Sequence, residues 1–188
     1  MEILPQAISD VLVLKPKRFG DARGYFVESY NRRVMAANGL DYDFLQDNTS
    51  LSAQRGTIRG LHFQTAPSQQ TKLLNVLRGA ILDVVVDIRV GSPSYGKHIG
   101  VELSEENGLQ LLVPRGFAHG FCTLVPDTMV QYKVDNFYDP KADAGLLWND
   151  PALGITWPVK ADEAILTEKD RKHPTLAELP AHFSYNGR

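Results

Sequence analysis
Ile81-Leu82-Asp83-Val84-Val85-Val86-Asp87-Ile88 decides the fold class. Most of its residues are β-branched, and such a run favours an extended chain. At eight residues, two of them aspartates, it is too short and too charged to span a bilayer. Working outward, Leu109 to Val113, Phe121 to Val125 and Thr128 to Val134 read as strands too. Arg78-Gly79, Ser92-Pro93, Asn107-Gly108 and Pro126-Asp127 supply turn chemistry between them. Many short strands at this spacing predict an all-β sandwich or barrel of the jelly-roll kind. The two aspartates of the Ile81 strand are expected to face solvent or to close a turn. A helix is expected over Asn31 to Asn38, capped by Asn31 and ended by Gly39. A second short helix or turn is expected after Thr167, and the chain beyond Trp157-Pro158 is expected to wrap the barrel.

The 188 residues suit one domain, 1–188, with a single core and no need of disulfide staples. Cys122 is the only cysteine. It suits a reducing compartment, and with no basic or apolar leader at Met1-Glu2-Ile3-Leu4-Pro5 a cytoplasmic protein is expected. No acidifying neighbour flanks the thiol in sequence, so a buried apolar role is expected for it. The formal charge of −2 provides no broad positive field for nucleic acid. Neither nucleic acid nor membrane is expected as a partner. A pocket can still concentrate Arg and Lys locally, enough to take an anionic small molecule.

Two segments carry the chemistry. One is Gly56-Thr57-Ile58-Arg59-Gly60-Leu61-His62-Phe63-Gln64, continuing to Lys72 and Gly79. The other is Gly108, five residues, then Pro114-Arg115-Gly116-Phe117-Ala118-His119. The second resembles the cupin pattern of Gly, five residues, Pro, one residue, Gly, two residues, His, with Thr123 where Asn is usual. The resemblance implies a double-stranded β-helix, the cupin jelly-roll barrel, with a few short peripheral helices. A metal-binding cupin would offer His at 62 and 64, Glu at 72 and His at 119. This chain has His62, Gln64, Lys72 and His119. An amide is a weaker ligand than imidazole, and an ammonium repels a cation by about 4 kcal/mol at ~4 Å and an effective dielectric of 20. No metal and no other cofactor is expected.

Proton abstraction beside a carbonyl needs a base, an acid and positive charge near the enolate oxygen. Imidazole titrates closest to neutrality, which makes His62 the natural base. Lys72 can hold the enolate oxygen. Inversion needs a proton from the opposite face, and Tyr132 is the best placed tyrosine, with Tyr138 the runner-up. A carboxylate behind the imidazole would fix its tautomer, but spacing does not choose which.

The chain resembles the dTDP-4-dehydrorhamnose 3,5-epimerase family. The segments that carry the likeness include Asp21-Ala22-Arg23-Gly24-Tyr25-Phe26, Gln46-Asp47-Asn48-Thr49-Ser50, Ile58 to Gln64, Gln70-Thr71-Lys72-Leu73, Pro114 to Phe121, Tyr132-Lys133, Trp148-Asn149-Asp150 and Glu168-Lys169-Asp170. The resemblance implies that His62 is the base, Tyr132 the acid and Asp170 the partner of His62, with Lys72 on the C4 oxygen of the keto-sugar. It implies substrate contacts at Arg23, Glu28, Gln46, Asp47, Asn48, Arg59, His119, Tyr138, Asp143 and Lys169. Asp143 departs from the Glu of many members, which bears on binding more than on chemistry. The implied substrate is dTDP-4-dehydro-6-deoxyglucose, epimerised at C3 and C5 for dTDP-rhamnose biosynthesis. The implied assembly is a homodimer in which N-terminal residues complete the partner's pocket.

Rival readings are a single-site epimerase of a dTDP-4-keto-deoxysugar, a metal-dependent cupin enzyme and a non-catalytic sugar-nucleotide sensor. His119 is either a packed former ligand or a substrate contact. His98, His173 and His182 read as ordinary surface or core residues.

Overall fold
The computed structural model describes residues 1–187. Fifteen strands account for most of the regular structure: β1 (Glu2–Pro5), β2 (Leu12–Lys15), β3 (Arg18–Asp21), β4 (Gly24–Val27), β5 (Gln46–Ser52), β6 (Ile58–Gln64), β7 (Lys72–Arg78), β8 (Ala80–Asp87), β9 (Arg89–Val90), β10 (His98–Ser104), β11 (Gln110–Val113), β12 (Phe117–Thr123), β13 (Thr128–Val134), β14 (Asp143–Gly145) and β15 (Phe183–Ser184). One antiparallel sheet runs β1-β2-β11-β7-β13-β5 and the other β10-β8-β12-β6-β14. The chain keeps crossing between them. Strands β6, β8, β12 and β14 lie in one sheet, β7, β11 and β13 in the other. This is the double-stranded β-helix. Its consequence for the site is simple: from β5 to β8, and again from β11 to β14, consecutive strands put their inward side chains on opposite walls.

The wall between the sheets is apolar. Val13, Leu74, Val76, Leu111 and Val130 of the first sheet meet Ile81, Val85, Leu103, Phe117 and Phe121 of the second. Strand β8 shows why the rest of the chain must wrap. Its outward residues Val84 and Val86, with Ile88 just beyond, are apolar, and so are its inward residues Ile81 and Val85. A strand apolar on both faces needs cover on both. The segment after β14 provides it: Leu146, Leu153, Leu176, Leu179 and Phe183 pack there with Leu61 and Phe63. Each side chain fully buried in this way is worth ~1.5–3 kcal/mol. The other sheet is covered by α1 (Arg32–Ala37), whose Met35 packs with Leu14, Leu73 and Leu112.

The expected helix is present with its caps. The Asn31 side chain accepts from the backbone N–H groups of Arg33 and Val34, and Gly39 follows in a left-handed conformation. A short 3₁₀ turn, Asp170–Lys172, follows Thr167. Cys122 is buried, and burial pushes its thiol up to about 11, consistent with packing rather than reactivity.

Two readings need correction. Strand β12 begins at Phe117, four residues before the expected start at Phe121. Gly120 hides the pattern because it has no side chain, and it has none because Gly60 of β6 crosses it closely: a Cβ on Gly120 would lie 2.9 Å from Gly60 Cα and 2.6 Å from the Arg59 carbonyl. The second concerns Asp83, which neither faces solvent nor closes a turn. It points inward with Ile81 and Val85, fully buried, and accepts from His119 Nε2 at 2.7 Å. Asp87 is equally buried and does organise a turn, holding Arg89, Ser92 and Ser94.

Candidate active site
Period-two alternation fixes what enters the space between the sheets. On β7, Leu74 and Val76 join the inner core while Leu73 faces out, so Lys72 points inward. On β13, Val130 points in and Tyr132 follows it. On β6, Leu61 and Phe63 pack outward, so His62 and Gln64 turn in. On β12, His119 lies between inward Phe117 and Phe121, directly opposite His62 in the register. Two cavity lobes result, of about 330 and 350 Å³. His62, Lys72 and Tyr132 line both. His62 and Tyr132 stand on different sheets.

Behind His62 lies the carboxylate that spacing left open. Asp170, 4% exposed, accepts from His62 Nε2 at 2.6 Å. Its backbone N–H donates to Thr167 Oγ1, which ties the turn in place. Burial raises Asp170, but contacts with His173 and His62 outweigh it and hold the carboxyl well below the usual carboxylate range. A carboxylate can only accept, so Nε2 of His62 carries the proton. Nδ1 is left with a free lone pair, the tautomer of a base.

Opposite it in the register, His119 donates Nε2–H to buried Asp83. Burial lowers His119 below the ordinary imidazole range, with Lys72 and His62 adding to that against the pull of Asp83. His119 is therefore a neutral side chain at neutral pH. The Lys72 ammonium, 3.4 Å from the His62 carbonyl oxygen, is pushed down to about 8 by burial, against the attraction of Asp83 and Asp143. Burial raises the Tyr132 phenol above its usual value, over the opposing pull of Arg59.

Arg59 and Lys169 line the first lobe, with Ser50 and Thr167, which sequence reasoning missed. Gln46, Asn48, Tyr138 and Asp143 line the second. Asp143 accepts from the Tyr138 hydroxyl at 3.0 Å and from the Lys169 ammonium. Burial raises Asp143, but these two donors outweigh it and keep its carboxyl low. Tyr138 is thereby an exposed residue committed to a carboxylate and lining one lobe only. That favours Tyr132 over it as an acid.

Three expected contacts are not brought to this cavity. Asp47 follows the outward phase of β5, opposite to Gln46, Asn48 and Ser50, and pairs with Lys133 at 2.8 Å. Arg23 sits at the β3–β4 turn, 90% exposed, paired with Asp21. Glu28, just after β4, is exposed beside Asn31. Of the two arginines expected to contact substrate, the chain brings only Arg59 to this cavity.

Gln64 is more than a lost ligand. Its amide donates to the carbonyls of Ser68 and Phe137 at 2.6 and 3.2 Å and accepts from the Asp139 backbone N–H at 2.7 Å. Both ends are committed to joining loops.

The sequence profile described as dTDP-4-dehydrorhamnose 3,5-epimerase matches residues 5–178. The chain belongs to that family. It is an isomerase. A dTDP-4-dehydrorhamnose 3,5-epimerase of Sinorhizobium fredii is 53% identical over 179 residues, covering 95% of this chain and 91% of that protein. The crystal structure of the Bacillus anthracis strain Ames epimerase, with TDP and PPi bound, superposes with a TM-score of 0.90 at 52% identity, covering 93% of this chain and 98% of that one. The Legionella pneumophila Philadelphia 1 dTDP-6-deoxy-D-glucose-3,5-epimerase, in complex with dTDP-4-keto-L-rhamnose, gives a TM-score of 0.92 at 39% identity, covering 98% of each chain. Among the described residues of this epimerase-family chain, no helix is long and apolar enough to cross a membrane.

Proposed function
We propose that the protein epimerises C3 and C5 of dTDP-4-dehydro-6-deoxyglucose to give dTDP-4-dehydrorhamnose, with His62 as base, Tyr132 as acid and Lys72 on the enolate oxygen. One observation carries the reading: an imidazole tautomerised by a buried carboxylate and a protonated phenol stand on opposite sheets, with an ammonium in the same cavity. The C4 ketone acidifies the hydrogens on C3 and C5. His62 Nδ1 takes one, and the electron pair moves onto the C4 oxygen beside Lys72. Tyr132 then gives its proton to the other face of the carbon, inverting it. Exchange with solvent restores both groups before the second carbon reacts. Arg59 and Lys169 supply positive charge for a diphosphate. Gln46, Asn48, Tyr138 and Asp143 contact the nucleotide sugar, and His119 faces the ring as a neutral imidazole.

The protein acts as a homodimer in the cytoplasm on this reading. Dimerisation would let the β3–β4 hairpin carry Arg23, with Glu28 just beyond it, to a second copy's cavity. In heavy water, deuterium should enter both C3 and C5 of the product, read by NMR or mass spectrometry. Label at one carbon alone would instead mark a single-site epimerase.

The rate should also fall on the alkaline side. Lys72 in the free enzyme loses its proton near pH 8. Below that the charge is present; above it the neutral amine holds the enolate oxygen poorly. Tyr132 stays protonated through this range, because its own shift is upward. kcat/KM should therefore drop about tenfold per pH unit above 8. A profile flat to pH 10 would remove Lys72 from the chemistry.

A further inference from the structure
His173 has no role in the mechanism above, yet it is built into the site. It follows the 3₁₀ turn that carries Asp170, and its side chain is only 9% exposed. Its ring stands edge-on to that of His62, with centroids 5.7 Å apart and planes at 80°. Its Nε2 lies 3.6 Å from Asp170 Oδ1, the same oxygen that His62 engages at 2.6 Å. That Nε2 is buried and has no hydrogen-bond partner. From the other side β14 closes on it: a Cβ at Gly145 would overlap the imidazole.

A buried N–H without a partner carries an uncompensated desolvation penalty. The acceptor in front of this one is Asp170 Oδ1, slightly beyond hydrogen-bond range. We propose that His173 is a positioning residue, a second donor to Asp170 that shares the carboxylate with His62 and so keeps His62 unprotonated and ready to act as base. This rests on the reading of His62 as base. The sign follows from competition for one oxygen. A carboxylate engaged by two donors stabilises a charged imidazole less than one engaged by His62 alone. Burial raises Asp170, and the His173 contact is foremost among those that offset it.

Other groups also act on His62: Lys72 from β7, His119 from β12 with Asp83 behind it, Asp143 from β14 with Lys169, Arg59 on β6 itself and Tyr132 from β13. None of them is altered by substitution at 173, so the comparison isolates the one contact.

The test is His173→Phe, which keeps a ring but removes the donor, beside His173→Gln, which keeps an N–H. The acid limb of kcat/KM should move up by about one pH unit in His173→Phe and return towards the wild-type position in His173→Gln. NMR titration of the imidazoles reads His62 protonation without turnover and should show the same upward movement. If the NMR midpoint moves and the rate limb does not, the positioning stands and the assignment of His62 as base falls. If neither moves in a folded variant, His173 only packs and the proposal is overturned. Should His173→Phe fail to fold, His173→Leu, which also lacks the donor, is read in the same way.

Discussion

Replacing His62 with asparagine is expected to lower kcat by ~10³-fold or more, at the upper end of what general-base catalysis supplies. Binding of dTDP should change only a few-fold, because the nucleotide is held elsewhere on this reading. Asparagine is a cleaner probe than alanine. Asp170 is 4% exposed and its Oδ1 accepts from His62. An alanine would strip that partner and leave the buried carboxylate leaning on His173, at a cost in stability that mixes with the cost in rate. An amide can still donate to Asp170 but cannot accept a proton from carbon at neutral pH. One base serving both carbons makes a sharper statement: deuterium exchange at C3 and at C5 should vanish together. Steady-state turnover, isothermal titration with dTDP and exchange in heavy water check the three parts. A variant within tenfold of wild-type turnover would sink the assignment.

The Tyr132→Phe variant should fail differently. Net inversion is expected to fall ~10²–10⁴-fold, while hydrogen exchange continues. His62 can still remove a proton and return a deuteron to the same face. Recovered substrate should therefore carry label with unchanged configuration. The fold should tolerate the change, since the ring packs against the inner core of the two sheets and phenylalanine keeps the ring. The same experiment separates the two tyrosines. The Tyr138 hydroxyl is engaged with Asp143 in the second lobe, so Tyr138→Phe should weaken substrate binding and leave inversion intact. The reverse pattern would transfer the acid role to Tyr138.

Much of the candidate site was legible in short motifs, and the strands that carry those motifs present their residues with period two. His62, Lys72, His119 and Tyr132 lie in short extended runs, and a period of two carries each into the inner space. That period separates Gln46 and Asn48 from Asp47, which falls on the opposite phase of β5. It also places Asp83 inside, in phase with Ile81 and Val85. Charge alone suggested solvent there, and local reading cannot see that a histidine from β12 arrives as the partner. His173 is hidden in the sequence for a related reason. Lys169-Asp170-Arg171-Lys172 reads as a solvated charged stretch. Its one usable signal was spacing: three residues in a helical turn bring His173 beside Asp170.

The sequence by itself determined the strand character of β8, β11, β13 and the end of β12, the candidate residues of the site, and the kinship with sugar-nucleotide epimerases. These are local matters, set by alternation, turn residues and short motifs. Tertiary structure alone decided which groups stand behind them. Asp170 and His62 are 108 positions apart, and Asp83 and His119 are 36 apart. Only the closing of one sheet over the other, and the wrapping of the C-terminal segment around both, carries carboxylates to imidazoles, because the energy that brings them together is the burial of apolar faces far from either group.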